Sequence, residues 1–368
     1  MYSADKKLNR LPVLESTMLE GREVLLQGTI IYGDYFQAKK GYIAIRDGII
    51  TEVGREHVEA DLEGIICPRF INAHIHLGDS AFKDPPFLPL SELVGPGGYK
   101  SRMLERTERE MLIEGMKRSL HLMLSSGTIA FADFREGGAA GVVMLQEALE
   151  DMPLLARILG RPDPSQAGIP ESSWGLGISS TRDHSPEIIA ESVAQARRKN
   201  QAVGIHAGEA GRDDIEGALA LQPDFLVHMN RAEDADLRQV ASRGISVVVC
   251  PRSNLMTGVG LPPVAAMARH GINLAAGTDN VMISSPDMFE EMHLIANALL
   301  HDDRQVFKMC TLNGAKIVGL DRRLGSIQEG KEGRVMVLDG DSDNLWGSTD
   351  PLSSIVRRAS RSDIMAIL

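Results

Sequence analysis

Residues 69–77 read RFINAHIHL, an apolar run carrying two histidines one residue apart. On a strand, successive side chains alternate between faces, so His74 and His76 point the same way, towards the axis if the strand belongs to a barrel. Two imidazoles on one face can share one metal ion. A bare His-x-His is unspecific, because histidines on strands serve more often as packing or surface residues. Its meaning depends on what the rest of the chain places around it.

Downstream, short apolar runs alternate with longer segments of helical spacing, the pattern of βαβ repetition. After RFINAHIHL the strand candidates are GTIAFADF (127–134), MPLLARILGR (152–161), WGLGISS (174–180), QAVGIHA (201–207), PDFLVHM (223–229), GISVVVC (244–250) and GINLAAGTD (271–279). That makes eight, the number that closes an α/β barrel. Helical spacing is found in 105–126, 185–200, 233–243 and 285–300. We therefore expect an α/β fold, a TIM-type (β/α)8 barrel, over residues 68–320.

The flanks read differently. REVLLQGTII (22–31) and GYIAIRDGIITEVG (41–54) are strand-like, and Asp47-Gly48 between alternating apolar runs is a hairpin signal. LGSIQEG (324–330) and GRVMVLDGD (333–341) return to strands. Residues 1–67 and 321–368 are thus expected to build one small β-sandwich domain beside the barrel, the segment after Asp341 being a tail with no assigned role. A chain of 368 residues suits that division.

Composition excludes several classes. Hydrophobic residues at 43% and charged residues at 24% are those of a folded globular chain. With 50 acidic against 39 basic residues, a net charge of −11 and no long Lys/Arg run, nucleic acid is not the expected partner. Three widely spaced cysteines suggest neither a disulfide framework nor a CxxC metal site. The first 21 residues lack the apolar core of a signal peptide, and no apolar stretch is long enough for a membrane span. A cytoplasmic protein with a small-molecule substrate is the expectation.

The chemistry sits at strand ends. His206 closes QAVGIHA, His228 closes LVHM, and Asp279 closes GINLAAGTD. Burying ionisable groups at the end of apolar strands is costly unless they bind something, and the C-terminal rim is where barrel enzymes keep their active sites. A metal is the compensation these residue types suggest.

The order PRFINAHIHL, HAGE (206–209), LVHM (226–229), AGTD (276–279) resembles the amidohydrolase superfamily. IRDGIITEVG before the barrel and TLNGAKIVGL with GSIQEGKEGRVMVLD after it extend the likeness from about Gly21 to Asp341. The chain looks most like the cytosine deaminase and chlorohydrolase-like branch, which includes deaminases of adenosine-type nucleosides and of guanine. The resemblance implies that His74, His76, His206 and Asp279 bind one divalent metal, zinc first and Fe²⁺ or Mn²⁺ as alternatives. It implies that Glu209 is the general acid and base and that His228 lies beside the activated water, with Asp279 also moving protons. Branches with two metals bridge them through a carboxylated lysine on the third or fourth strand; no lysine occurs between Lys117 and Lys199, which favours a mononuclear centre. Relatives often form dimers or tetramers, so a homo-oligomer is compatible with the likeness.

Around this set, Asp79, Phe82, Arg135, Arg161, Trp174 and Asn254 are candidate substrate-binding residues by their predicted places near the rim. An arginine there could grip a carboxylate or phosphate, or form a rim ion pair. Cys250 reads as a small buried hydrophobe. The segment GISSTRDHS (177–185) departs from the branch, which often follows the fourth strand with a histidine-bearing substrate loop; this puts purine or nucleoside specificity in doubt. The expected reaction is hydrolytic deamination of a cyclic amidine, such as a nucleobase, nucleoside or aminotriazine-like ring. The alternatives are a cyclic amide hydrolase, a chlorohydrolase using the same site, or a non-catalytic binding barrel.

Overall fold

In the computed structural model, residues 23–162 and 168–368 are described; the N-terminal segment read above lies outside them. Strands β1 (Glu23–Tyr32), β2 (Gln37–Arg46) and β3 (Ile49–Gly54) form an antiparallel meander. The turn from β2 to β3 is the Asp47-Gly48 step, with φ of 50° and 75°. Positive φ at both central residues matches the right-handed twist of the flanking strands. β1 also pairs in parallel with β4 (Leu62–Pro68).

After Pro68 the chain enters a second, parallel sheet. Its strands are β5 (Phe70–His76), β6 (Thr128–Arg135), β7 (Leu155–Gly160), β8 (Gly175–Ile178), β9 (Ala202–Ala207), β10 (Phe225–His228), β11 (Ser246–Val249), β12 (Leu274–Ala276) and β13 (Asp279–Asn280). The strand order is β12-β11-β10-β9-β8-β7-β6-β5-β13. The two edge pieces, β12 and β13, are separated only by Gly277 and Thr278, so the sheet curls into a TIM-like barrel. The sequence segment 271–279, read above as one strand, is two short ones, because it leaves β11 and joins β5 within seven residues.

The predicted helices are present. Arg109–Ser125 follows β5, and Pro186–Arg198 begins on Ser185, whose hydroxyl accepts the Ile188 N–H. Asp234–Ser242 starts with a Glu233/Asp236 capping box, in which each side chain accepts from the other's backbone. Helix Met288–Leu294 runs on into a π-helical turn, Ile295–Leu299.

The C-terminal part rejoins the first sheet. β14 (Val335–Leu338) pairs antiparallel with β4, and β15 (Ile364–Ile367) with β14, giving the six-stranded order β15-β14-β4-β1-β2-β3. Both ends of the described chain thus share one mixed sheet. LGSIQEG contributes a single bridge, Tyr32 to Ile327, rather than a strand, and the tail that sequence left unassigned supplies the edge strand β15 instead. Cys67, Cys250 and Cys310 are free and buried, so Cys250 is the packing residue expected.

The seam of the barrel is tightly specified. Asn72 on β5 donates through Nδ2 to Thr278 Oγ1 at 2.7 Å and accepts the Thr278 N–H through Oδ1 at 3.1 Å. A Cβ on Gly277 would lie 2.7 Å from His74 Cβ and from the His74 carbonyl oxygen. Gly277→Ala should therefore force β5 and the 276–279 link apart, at a cost of about 1–3 kcal/mol. Thermal denaturation should show a lowered midpoint, whereas Gly168→Ala, with open space around it among the described residues, should not.

Candidate metal-binding active site

The period of two along β5 puts His74 and His76 on one face, both buried, with ring centroids 4.9 Å apart. His206, at the penultimate position of β9, faces them, its Nε2 3.2 Å from His74 Nε2. Asp279, the first residue of β13, brings Oδ1 to 3.3 Å from His74 Nε2 and 3.5 Å from His76 Nε2. His228 ends β10, and its Nε2 lies 3.6 Å from Glu209 Oε2. His74, His76 and Asp279 thus have donor atoms close enough to hold an ion, as do His74, His206 and His228.

The surroundings decide what these atoms can do. His76 Nδ1 donates to the Phe134 carbonyl and His206 Nδ1 to the Ile178 carbonyl, each at 3.0 Å. A carbonyl only accepts, so Nδ1 carries the proton and Nε2 presents a lone pair to the centre. Burial depresses the pKa of all three imidazoles, that of His76 to about 3, which keeps them neutral. The Nε2 lone pairs of His76 and His206, beside the Asp279 carboxylate, make a donor set that fits a divalent ion such as zinc. Asp279 stays ionised: burial opposes this, but the surrounding imidazoles outweigh it. Its Oδ2 accepts from Ser253 Oγ at 2.5 Å and its Oδ1 from Asn280 Nδ2 at 2.9 Å. Burial raises the Glu209 carboxyl, with His228 pulling it down and Asp279 and Asp214 adding to the rise.

A charged network lies behind His76; the rim ion pairs of Arg135 and Arg161 were one of the readings of the sequence, but the lysine at its centre was not. Lys100, on the helix Tyr99–Arg106, is buried, and its Nζ lies 2.6 Å from Glu136 Oε1, 2.8 Å from Asn280 Oδ1 and 3.4 Å from Asp79 Oδ2. Glu136 also meets Arg135 Nη2 at 2.6 Å, Arg161 Nη2 at 3.2 Å and His76 Nδ1 at 2.9 Å. Burial opposes ionisation of Glu136, yet Lys100, Arg161 and His76 together hold its carboxyl well below the ordinary range. For Lys100 the hint in the sequence is the glycine-rich loop GPGGYK (95–100) that carries it. The lysine comes from after the first barrel strand, not the third or fourth, and its ammonium is occupied by ion pairs.

The site opens into a cavity of about 510 Å³. His76, His206, Glu209, His228 and Asp279 line it, as do Lys100, Arg161, Arg182 and the loop from Pro89 to Pro96. Of the six substrate-binding candidates, only Arg161 is among the lining residues. Asp79 is fully buried behind the wall, accepting the Met282 N–H, and burial raises its carboxyl to about 7. Phe82 packs in an apolar cluster with Leu93, Leu112 and Met282. Arg135 is tied between Asp133 and Glu136. Trp174 precedes β8 and so sits at the opposite end of its strand, stacked on Arg157. Asn254 is buried and faces His228. His184 does not line the cavity, while its neighbours Arg182 and Asp183 do.

A curled parallel barrel gathering imidazoles and a carboxylate at the C-terminal ends of its strands is the architecture of a barrel hydrolase with a metal-capable centre. The chain belongs to the amidohydrolase family, whose profile matches residues 65–365. A protein named "Putative aminohydrolase" from Methanothermobacter thermautotrophicus is 33% identical, the match covering 94% of this chain and 97% of that one. A 5-methylthioadenosine/S-adenosylhomocysteine deaminase from Caldanaerobacter subterraneus is 25% identical over 99% of this chain and 90% of that one. An adenosine deaminase from Xanthomonas campestris, solved with bound zinc, has the same fold, with a TM-score of 0.82 at 19% identity over 95% of this chain and 92% of that one.

Removing the ammonium tests the network. Lys100→Met leaves Glu136 and Asp79 without their shared cation, and breaking a buried pair in this way costs about 3–5 kcal/mol. Because Glu136 is held below its ordinary 4.5, its contribution to stability is present above that pH and is lost as pH falls. Urea denaturation from pH 7 to well below pH 4 should show both the loss in the variant and a flatter acid limb; an unchanged midpoint at pH 7 would refute the role.

Proposed function

We propose that this protein hydrolytically deaminates an aminated heterocycle of nucleobase or nucleoside type, using one divalent ion, zinc by preference, held by His74, His76, His206 and Asp279. The observation that carries this reading is the convergence of Glu209, His228 and Asp279, whose ligand atoms come within 4.8 Å of one another at the floor of the cavity. That is a proton-transfer group, a hydrogen-bonding imidazole and an ionised carboxylate around one point. A non-catalytic barrel would have no need of all three.

When bound, the ion supplies water activation, lowering the pKa of water from ~15.7 towards about 7. The chain's own groups do the rest. Glu209, whose carboxyl is raised by burial, gives a proton to the ring nitrogen adjacent to the amino-bearing carbon. Asp279, kept ionised and oriented by Ser253 and Asn280, accepts the proton from water, and His228 steadies the oxygen as it adds. Return of a proton to the amino group releases ammonia and leaves a ring carbonyl, so that water is added and ammonia lost. The cavity falls within the roughly 300–1,000 Å³ of sites that enclose drug-sized ligands, which favours a nucleoside over a bare ring. The relative acting on 5-methylthioadenosine and S-adenosylhomocysteine points the same way.

In the same reading, the six-stranded sheet built from both chain ends is the β-sandwich domain expected beside the barrel, with 68–320 as the barrel domain; the pairing of β14 with β4 supports it. No described helix is long and apolar enough to cross a membrane. With three buried free cysteines, the cytoplasm is the compartment we propose.

Ammonia release by zinc-loaded protein across nucleosides, free bases and aminotriazines tests the proposal. Glu209→Gln should lower kcat by at least ~10²–10⁴-fold, the contribution of general acid–base catalysis, while metal stays at one per chain. Full metal with no ammonia from any of these compounds would sink the deaminase reading.

A further inference from the structure

Three of the four clustered imidazoles are gripped differently from the fourth. Nδ1 of His76 and of His206 each meets a backbone carbonyl, which can only accept, and His74 Nδ1 has no hydrogen-bond partner among the described residues. His228 Nδ1 instead lies 3.1 Å from Asn254 Nδ2, an amide nitrogen that can only donate. The protons are therefore placed oppositely. His76 and His206 carry theirs on Nδ1 and show the centre a lone pair, whereas His228 receives a hydrogen bond at Nδ1 and carries its proton on Nε2.

We infer that Asn254 is a positioning residue that fixes the tautomer of His228, making it a hydrogen-bond donor towards the reacting centre and keeping it out of the metal's ligand set. Two further observations agree. The Nε2 side of His228 faces a carboxyl oxygen, Glu209 Oε2, at 3.6 Å, too far for a hydrogen bond but compatible with a proton there. The amide orientation is also the less costly one. As placed, Asn254 leaves its buried carbonyl oxygen unpaired. Turned over, it would leave a buried NH2 unpaired, and orphaned donors are rarer in native proteins than under-satisfied carbonyls. Asn254 has no access to the cavity, so it acts through His228. Its place is set by the short helix Pro251–Met256, which starts directly after β11, beside the end of β10 that carries His228.

The distinction has a chemical consequence. His228 has a ring nitrogen within reach of the His74 and His206 nitrogens, so on distance alone it could serve as a ligand. With the proton on Nε2 it cannot, and its N–H is available to an oxygen that gains charge during addition of water. In the kinetic arm of the test this rests on the deaminase reading; the tautomer itself does not.

The experiment is long-range ¹H–¹⁵N correlation spectroscopy on zinc-loaded protein labelled with ¹⁵N-histidine, the His228 signals being identified by their loss in His228→Gln. The wild type should show protonated Nε2 and bare Nδ1 at His228. Asn254→Asp, nearly the same shape but an acceptor, should move the proton to Nδ1, and Asn254→Leu should leave no single tautomer dominant. Both variants should keep one metal per chain and lose about 10–100-fold in kcat, the usual effect of a partner that orients a site imidazole, with KM changed far less. A protonated Nδ1 in the wild type, or an unchanged tautomer in Asn254→Asp, would overturn the inference; should Asn254→Leu fail to fold, Asn254→Asp decides alone. Because the spectra need no substrate, absence of ammonia release would count against the deaminase reading and leave the tautomer result standing.

Discussion

The candidate site depends on the seam where residues 274–280 leave β11 and join β5. Three contacts define it: the reciprocal Asn72–Thr278 hydrogen bonds, the contact of Gly277 with His74, and the register that sets Asp279 beside Ile75 and Asn280 beside His76. Closing the sheet and bringing the carboxylate to the two histidines are therefore one event. A side chain at 277 would not simply crowd the core; it would separate Asp279 from the imidazoles it must meet. Stability and site geometry are carried by the same few residues here, which is unusual for a barrel in which the two tend to occupy opposite ends of the strands.

The network behind His76 extends this coupling to the covering loop. Lys100 reaches Asp79 after β5, Glu136 after β6 and Asn280 on β13, so one ammonium ties together three strand ends. Three acidic side chains, Asp79, Asp133 and Glu136, are met by Lys100, Arg135 and Arg161. The compensation keeps Glu136 ionised, whereas burial still raises the Asp79 carboxyl, to about 7, and that of Asp133. The arrangement also anchors the segment from Leu77 to Lys100, whose stretch from Pro89 to Pro96 walls the cavity. Arg135, expected from its place in sequence to touch substrate, is consumed by this neutralisation.

How much of this was legible in the sequence follows from which signals are local. Period-two alternation in RFINAHIHL and apolar runs ending in His206, His228 and Asp279 are properties of single strands, and they marked the fold and the cluster. The Asp47-Gly48 hairpin is likewise a local signal. Lys100, by contrast, is one of many lysines on polar segments, and only the folding of a glycine-rich loop over the barrel buries it. Trp174 was misplaced although WGLGISS has it as the first residue, which is the N-terminal end of its strand and so the end away from the rim. Phe82 and Asp79 lie after β5 as expected, but whether such residues face the cavity or the packing behind it is settled by the loop's tertiary path.

The backbone at the site records what the sheet has to impose. His228, Met229 and Asp279 all have φ between 56° and 75°, a region that non-glycine residues enter at a cost of roughly 1–3 kcal/mol each. None is a glycine, because each position needs either its side chain or, for Met229, a fully buried apolar group. The left-handed turn at His228 ends β10 directly after its pairing with Ala207 on β9, and the one at Asp279 begins β13 directly against Ile75 on β5. Hydrogen-bonded strands on one side of each strained residue thus hold a conformation the residue would not choose. The cost is met by the barrel as a whole, and the result is a set of side chains that converge on one point.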